Sequence, residues 1–395
     1  MKKVLLVTTV SGFIPQFEMN NVKILQNMGA EIHYAANYDM PSYGTDNHRL
    51  DGTEIIRHQV DFERSPFNKK NLKAYRQLKR LMEQEHFDLV HCHTPMGAVL
   101  TRIVAHQTRT SPVIYTAHGF HFYKGAPLKN WLFFYPVEKY LSRYTDEQIC
   151  INREDYQLAI NKFHARNVDY VPGVGIDLKN VIHLSKHEKG KKRQEFGVGP
   201  EKIVILSVGE LIKRKNHETI LKSLAKLKNT DIVYLICGHG ELQNYLIDLA
   251  KQLGLQDQVQ FLGYRSDIYE IYAMADLFIF PSYQEGLPRA MMEAMASGLP
   301  VVCSDIRGNS DLMKIEKKLE DFPAYECTGG LMISDAAHVE SYCKGIQYML
   351  RKQNQWVQMG KENSDNISAF DIEHVSQVMK TIYNNIFNSK LNITN

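Results

Sequence analysis

The stretch LFIFPSYQEGLPRAMMEAMASGLPVVCS, Leu277 to Ser304, decides how this chain folds. It opens on an apolar run, Leu277 to Phe280, and closes on another, Val301 to Ser304. Between them, Arg289 to Ser297 repeats its apolar residues at helical spacing. A strand, a loop, a helix and a second strand, with both strands apolar on successive residues, predict parallel pairing in a sheet covered on both faces.

The same alternation extends outward. Ile203–Val208, Ile232–Cys237 and Val259–Leu262 read as strands, and His217–Leu227, Leu242–Leu253 and Ile268–Met274 as helices. Near the start, Val4–Val10, Glu31–Ala36, Leu89–Cys92 and Val113–Thr116 read as strands, interleaved with helices over Phe17–Asn27, Leu72–Glu85 and Ala98–Gln107. The pattern lapses in HLSKHEKGKKRQEFGVGP, which is charged and poor in apolar residues, as expected of a linker. The division this predicts is a domain over 1–178, a linker over 179–200, a second domain over 201–368 and a terminal helix over 369–395 packing across the domains. The fold class is α/β, with two doubly wound, Rossmann-like parallel-sheet domains. The terminal helix follows from Ile372, Val375, Val378, Met379, Ile382, Tyr383, Ile386 and Phe387, which form one apolar stripe.

The chain's 395 residues are enough for two sizeable cores. Lys+Arg 47 against Asp+Glu 44 leaves a net charge of +3, too balanced for a general nucleic-acid binder. Six cysteines, Cys92, Cys150, Cys237, Cys303, Cys327 and Cys343, lack the paired spacing of a zinc site or disulfide framework. The opening MKKVLLVTTV has the lysines and apolar run of a short signal peptide, but its β-rich character and the lack of a small-residue cleavage pattern favour a first strand.

Ligands of such sheets bind beyond the carboxyl ends of strands, so the residues following each strand are the first candidates, and the cleft between two sheets is the natural site. Pro288 suits a first helical turn, and the amides of Gly286 and Leu287 would then lie at a positive helix end, suited to phosphate or sugar oxygens. Glu285 stands just before that helix and Glu293 about two turns into it. Paired carboxylates of this kind can accept hydrogen bonds from vicinal sugar or ribose hydroxyls. Equally, Glu285 could favour the helix dipole and Glu293 a surface ion pair. Gly12, in the turn after the first strand, fits a close backbone approach to a ligand.

EGLPRAMME followed by AMASGLPVVCSDIRGNSDL resembles the E-x7-E region of family 4 glycosyltransferases, the retaining GT-B enzymes. VGELIKRKNHETI, CGHGE and VQFLGYRSDIYEIYAMADLFIFPS follow that family's order and spacing. VHCHTP and YTAHGFHFYKG resemble its capsule and exopolysaccharide subgroup. The resemblance implies that Glu285 contacts the donor sugar and Glu293 the nucleotide ribose. It further implies that Gly12, Arg214, Lys215, Gly238, Tyr264, Arg265, Gly286, Leu287 and Pro288 surround the donor. His118 is implied to reach the donor sugar, and His121, Tyr123 and Lys124 the acceptor. The reaction implied is sugar transfer from a UDP-sugar, with retention, to an undecaprenyl-diphosphate-linked glycan. The place implied is the cytoplasmic surface of the inner membrane.

One departure stands out. The family places an arginine five positions before the lysine of its phosphate clamp. Here Lys215 holds the lysine position, but Glu210 stands where the arginine belongs, so Lys213 or Arg214 must compensate or Glu210 must turn to a cation. The chain contains no Asp-x-Asp pair, so no metal, and no cofactor beyond the donor, is expected in the clamp. His91, His93, His118 and His121 follow two successive strands and are the only set that would suggest zinc; for His91, a core position fits better.

Two stretches suit an anionic lipid surface. One carries Lys69, Lys70, Lys73, Arg76, Lys79 and Arg80 on a helical face. The other mixes Trp131, Phe133, Phe134 and Tyr135 with Lys129, Lys139 and Arg143. A solvated helix face and ordinary core aromatics are the plain alternatives. Rival functions are a UDP-sugar 2-epimerase on the same two-sheet layout and a non-catalytic nucleotide-binding subunit of a polysaccharide assembly complex. A dinucleotide oxidoreductase fits poorly, because Gly238-His239-Gly240 lacks a third glycine.

Overall fold

The computed structural model describes residues 1–42 and 46–391. The chain divides into two units, Met1–Gly175 joined by the segment from Ile372 onward, and Ile176–Asp371. In the first, β1 (Lys2–Val10), β2 (Ala30–Asn37), β3 (Ile56–Gln59), β4 (Leu89–Cys92), β5 (Val113–Ala117), β6 (Glu147–Cys150) and β7 (Asn167–Tyr170) form one sheet. Its order is β3-β2-β1-β4-β5-β6-β7, and every pairing is parallel. Alternation along β1 explains why both faces are covered. Leu5 and Val7 enter one buried cluster, while Val4 and Leu6 enter another.

The second unit contains β8 (Ile203–Val208), β9 (Ile232–Cys237), β10 (Val259–Gly263), β11 (Leu277–Phe280) and β12 (Val301–Ser304). It continues with β13 (Ile315–Lys318), β14 (Ala324–Cys327) and β15 (Gly330–Ile333). Its order is β10-β9-β8-β11-β12-β15-β14-β13. β14 runs antiparallel to both β15 and β13, so this sheet carries an antiparallel edge that the expected all-parallel arrangement omitted. In both sheets the strand order turns back beside the first strand, between β1 and β4 and between β8 and β11. Those are the switch points where ligand loops diverge.

Three boundaries differ from the sequence division. The first crossing between units falls at Gly175, not 178. The expected linker over 179–200 contains a helix, Lys186–Glu195, closed at its start by a capping box in which Ser185 and Glu188 satisfy each other's backbone amides. Arg193 of that helix donates to the Met274 carbonyl and pairs with Asp276 at 2.6 Å, so the segment belongs to the second unit's structure. Residues 369–371 also fall in the second unit, while the helix Ile372–Leu391 belongs to the first. Val375, Met379, Ile382, Tyr383, Ile386 and Phe387 are buried with Val4 and Leu6.

Candidate active site

β8 ends at Val208, and the chain turns through Gly209 and Glu210 into a 3-10 turn, Lys213–Lys215. β11 ends at Phe280 and feeds the loop Pro281–Pro288. These two loops are tied together. The Tyr283 amide donates to the Arg214 carbonyl at 2.9 Å, Arg214 Nη1 to the Gln284 carbonyl at 2.9 Å, and Asn216 Nδ2 to the Pro281 carbonyl at 2.9 Å. The left-handed backbone of Asn216 makes that last reach possible.

Glu285 sits at the centre of this junction, 8% exposed. Its Oε1 lies 2.8 Å from Lys215 Nζ and 2.9 Å from Arg214 Nη1. Burial pushes the carboxyl up, but Lys215 and Arg214 outweigh it and hold Glu285 below the usual carboxylate range. It is therefore an anion held by two cations, not a residue leaning on a helix dipole. Lys215 Nζ also lies over the Phe280 ring at 4.8 Å. Glu210, at the position where an arginine was expected, is half exposed and turns its Oε2 to within 3.8 Å of Arg214 Nη2.

Glu293 lies inside the helix Arg289–Ala296, 8% exposed. Its Oε1 accepts from Arg289 Nε at 2.8 Å and its Oε2 from the Tyr272 hydroxyl at 3.2 Å. The carboxylate is thus buried, while its partner Arg289 stays exposed at the surface. Pro288 stands at the N-cap with extended backbone, one place before the helix, instead of in its first turn. Gly286 and Leu287 precede it in the loop, and Arg307 Nε donates to the Glu285 carbonyl at 3.1 Å.

Gly238, just past β9, has a φ of 141°, and a Cβ there would come within 1.9 Å of the Gly209 carbonyl oxygen. That close approach shapes the turn beneath Glu210. Tyr264 is exposed, and its amide donates to His239 Nε2 at 3.0 Å. Arg265 is engaged in a two-point pair with Asp267 at 2.8 and 2.6 Å through Nε and Nη2, which leaves Nη1 outside that pair.

In the first unit, the loops after β1, β4 and β5 bring together Glu18, His93 and His118. His118 Nε2 lies 3.3 Å from Glu18 Oε1 and 3.2 Å from His93 Nδ1. Burial pushes Glu18 up to about 8 and His118 down to about 4, and drives His93 well below its ordinary value. The four histidines of the zinc reading do not converge. His91 is a core residue that bonds the Tyr383 hydroxyl and Thr116 Oγ1 at 2.9 and 2.8 Å, and burial lowers it to about 3. His121 packs its ring on Phe134, and its carbonyl accepts from Asn130. Glu18, His93 and His118 remain a group whose ligand atoms lie close enough together for a cation.

Gly12 has a structural reason to be glycine, since a Cβ there would meet the Ser42 carbonyl oxygen at 1.8 Å. Tyr123 and Lys124 lie in the loop before the helix Leu128–Leu141, with the Lys124 amide donating to Glu154 Oε1 at 2.6 Å. Sequence reasoning missed Glu18. The available signal was a lone carboxylate in IPQFEMNN, just downstream of the first strand.

Residues 188–365 match the family described as Glycosyl transferases group 1, and residues 3–152 match Glycosyl transferase 4-like. EpsD of Bacillus subtilis, assigned as a glycosyltransferase, is 32% identical over 389 residues, covering 97% of this chain and 96% of its own length. The UDP-Gal:alpha-D-GlcNAc-diphosphoundecaprenol alpha-1,3-galactosyltransferase of Escherichia coli is 31% identical over 260 residues, 62% of this chain and 65% of that one. The crystal structure of Anabaena Alr3699/HepE in complex with UDP shares the fold, with a TM-score of 0.75 at 19% identity, covering 98% of this chain and all of that one. With both units matched and a relative aligned nearly end to end, the chain belongs to the family 4 glycosyltransferases of the GT-B fold.

Proposed function

We propose that the chain transfers a sugar from a UDP-sugar, with retention of anomeric configuration, to an undecaprenyl-diphosphate-linked glycan in surface polysaccharide synthesis. The observation that carries this reading is the convergence of Lys215 and Arg214 on buried Glu285 at the carboxyl ends of β8 and β11. Support for the donor comes from HepE, whose structures hold UDP and UDP-glucose. Support for the acceptor comes from the Escherichia coli relative and from a Campylobacter jejuni diphospho-undecaprenol N-acetylgalactosaminyltransferase, 37% identical over 130 residues.

In this reading, Lys215 and Arg214 neutralise the diphosphate without a divalent ion. Glu285 accepts hydrogen bonds from the sugar, and Glu293, with a lone pair left on each oxygen, accepts from the ribose hydroxyls. His118 serves the donor sugar from the first unit, and His121, Tyr123 and Lys124 serve the acceptor. The bond from anomeric carbon to diphosphate oxygen breaks, the acceptor oxygen bonds to that carbon on the same face, and the departing diphosphate takes the acceptor's proton.

A peripheral membrane contact is part of the proposal. On the helix Leu128–Leu141, the side chains of Leu128, Leu132, Phe133, Val137 and Tyr140 are exposed, flanked by Lys129 and Arg143. The other basic stretch is a weaker candidate, because Lys70, Lys73 and Lys79 pair with Glu63, Asp61 and Glu83. No helix among the described residues is long and apolar enough to cross a membrane.

The test is to incubate the full chain with UDP-sugars and an undecaprenyl-diphosphate-linked sugar, with and without EDTA. A lipid-linked product one sugar longer, in the retained configuration and unaffected by EDTA, is expected. Conversion of the donor without acceptor would mark an epimerase, and no turnover with any donor would mark a non-catalytic subunit.

A further inference from the structure

Glu210 has no part in the reading above, yet the fold fixes it beside the two cations that reading uses. The Gly209 amide donates to the Cys237 carbonyl at 2.9 Å, and the Leu211 amide to the His239 carbonyl at 2.8 Å. From the other side, the Leu242 amide donates to the Leu211 carbonyl at 2.9 Å. Gly240 leaves room for this, since a Cβ there would meet the Leu211 carbonyl oxygen at 2.4 Å. Glu210 can therefore swing its side chain but not leave the end of β8. Lys215 runs its chain across the same turn, with its Cε 3.3 Å from where a Cβ on Gly209 would stand. The Glu210 side chain is 55% exposed, and its one ion pair among the described residues is the long 3.8 Å contact with Arg214 Nη2. Arg214 Nη1 is held meanwhile by Glu285 and the Gln284 carbonyl. Two carboxylates, Glu210 and Glu285, are thus set against Arg214 and Lys215 at one place, and only Glu285 has a sugar to meet.

We propose that Glu210 is a specificity-determining residue: it weakens the hold on the free nucleoside diphosphate more than the hold on the sugar-capped donor, and so favours release of the product. This rests on the reading that Arg214 and Lys215 hold a donor diphosphate. In the donor, the sugar esterifies the outer phosphate, and each phosphate carries a single negative charge. Transfer uncaps that phosphate, whose second ionisation lies at about pH 6, so the product gains most of one further charge at neutral pH. A carboxylate fixed on the same turn as the two cations opposes that extra charge. It also draws on Arg214, which then has less to offer the product. Because the Glu210 side chain is open to water, the effect is moderate and screened by salt. The site thereby discriminates between two ligands that share a nucleoside and a diphosphate but differ in charge at the outer phosphate.

The experiment titrates the full chain, as parent, Glu210→Gln and Glu210→Arg, by calorimetry with two probes. One is UDP; the other is UDP with a methyl ester on its outer phosphate, which copies the charge of the capped donor. UDP should bind Glu210→Gln about threefold or more tighter than the parent, and Glu210→Arg tighter again. The capped probe should gain less. Salt at about 1 M should shrink the difference, because an exposed side chain is screened. Damage to the turn would instead weaken both probes together. Overturning results are a Glu210→Gln affinity for UDP equal to or below the parent's, an equal gain for both probes, or a gain that salt leaves untouched. Titrating the parent with GDP and ADP separates this proposal from the donor reading. A chain that bound one of these in place of UDP would lose the UDP assignment, and the Glu210 comparison would be read on that nucleotide and its methyl ester. A chain that bound no nucleoside diphosphate would sink both.

Discussion

Lys215 Nζ stands 2.8 Å from Glu285 Oε1, so the cation that would meet a diphosphate is already held by the carboxylate that would meet the sugar. Under the proposed function, a bound diphosphate would compete with Glu285 for Lys215 and Arg214. Under that function, the pair is a preset charge distribution that a donor would rearrange, on two backbone loops tied together by Arg214 and Asn216.

Replacing Glu285 with alanine should lower kcat by about 100-fold or more. Lys215 and Arg214 are freed for the diphosphate, so donor affinity should hold or tighten while turnover falls. Steady-state kinetics that separate kcat from donor KM, with circular dichroism to establish folding, would check this.

The acid behaviour of the same pair has a definite sign. Glu285 is held below its unfolded value, so its contribution to stability is complete above the ordinary carboxylate range and lost as pH falls through the depressed value. In Lys215→Met, one opposing charge is gone and burial carries more weight, so the loss should begin at higher pH. Thermal unfolding midpoints of both proteins between neutral pH and about pH 3 would show the displaced acid limb.

Arg102 and Glu138 form a fully buried ion pair at 2.8 Å that joins the helix Pro95–Thr108 to the helix Leu128–Leu141, with the guanidinium stacked 4.3 Å from the Tyr115 ring. Arg102→Ala strands the carboxylate and should cost about 3–5 kcal/mol, measured by denaturant unfolding. The double replacement Arg102→Met with Glu138→Leu should recover much of the loss, since apolar side chains leave no unpaired charge.

Gly238→Ala should damage donor binding from below the site. Its methyl group would fall 1.9 Å from the Gly209 carbonyl oxygen in a backbone region that favours glycine. Either the turn carrying Glu210 moves or the strain is absorbed at about 1–3 kcal/mol, and a raised donor KM with a lowered unfolding midpoint is the expected outcome.

The parallel strands β1, β2, β4, β5 and β8 to β12, the Glu285 loop and the apolar stripe of the terminal helix were legible because each rests on local periodicity or a dense motif, whereas the parallel strands β3, β6 and β7 were not read. Other features also went unread. β13 escaped because IEKK is charged and wholly exposed, so it carries no burial pattern. The helix Lys186–Glu195 was read as linker on its charge, although Ser185 and Glu188 spell a capping box three residues apart. Glu18 and Arg102 were invisible for a shared reason: a charged residue inside an apolar surrounding is recognised only through partners far away in sequence, His118 for one and Glu138 for the other.

The first unit's dependence on the helix Ile372–Leu391 has a consequence for how the protein is made. Six buried side chains from that helix, each contributing about 1.5–3 kcal/mol, add up to an amount on the scale of a domain's whole stability. The ribosome releases them only after the whole of Ile176–Asp371. The intervening Ile176–Asp371 has its full complement of strands before they emerge, so the half encoded first finishes folding second. Until that helix emerges, the faces of β1 and β2 that it covers stay open to solvent.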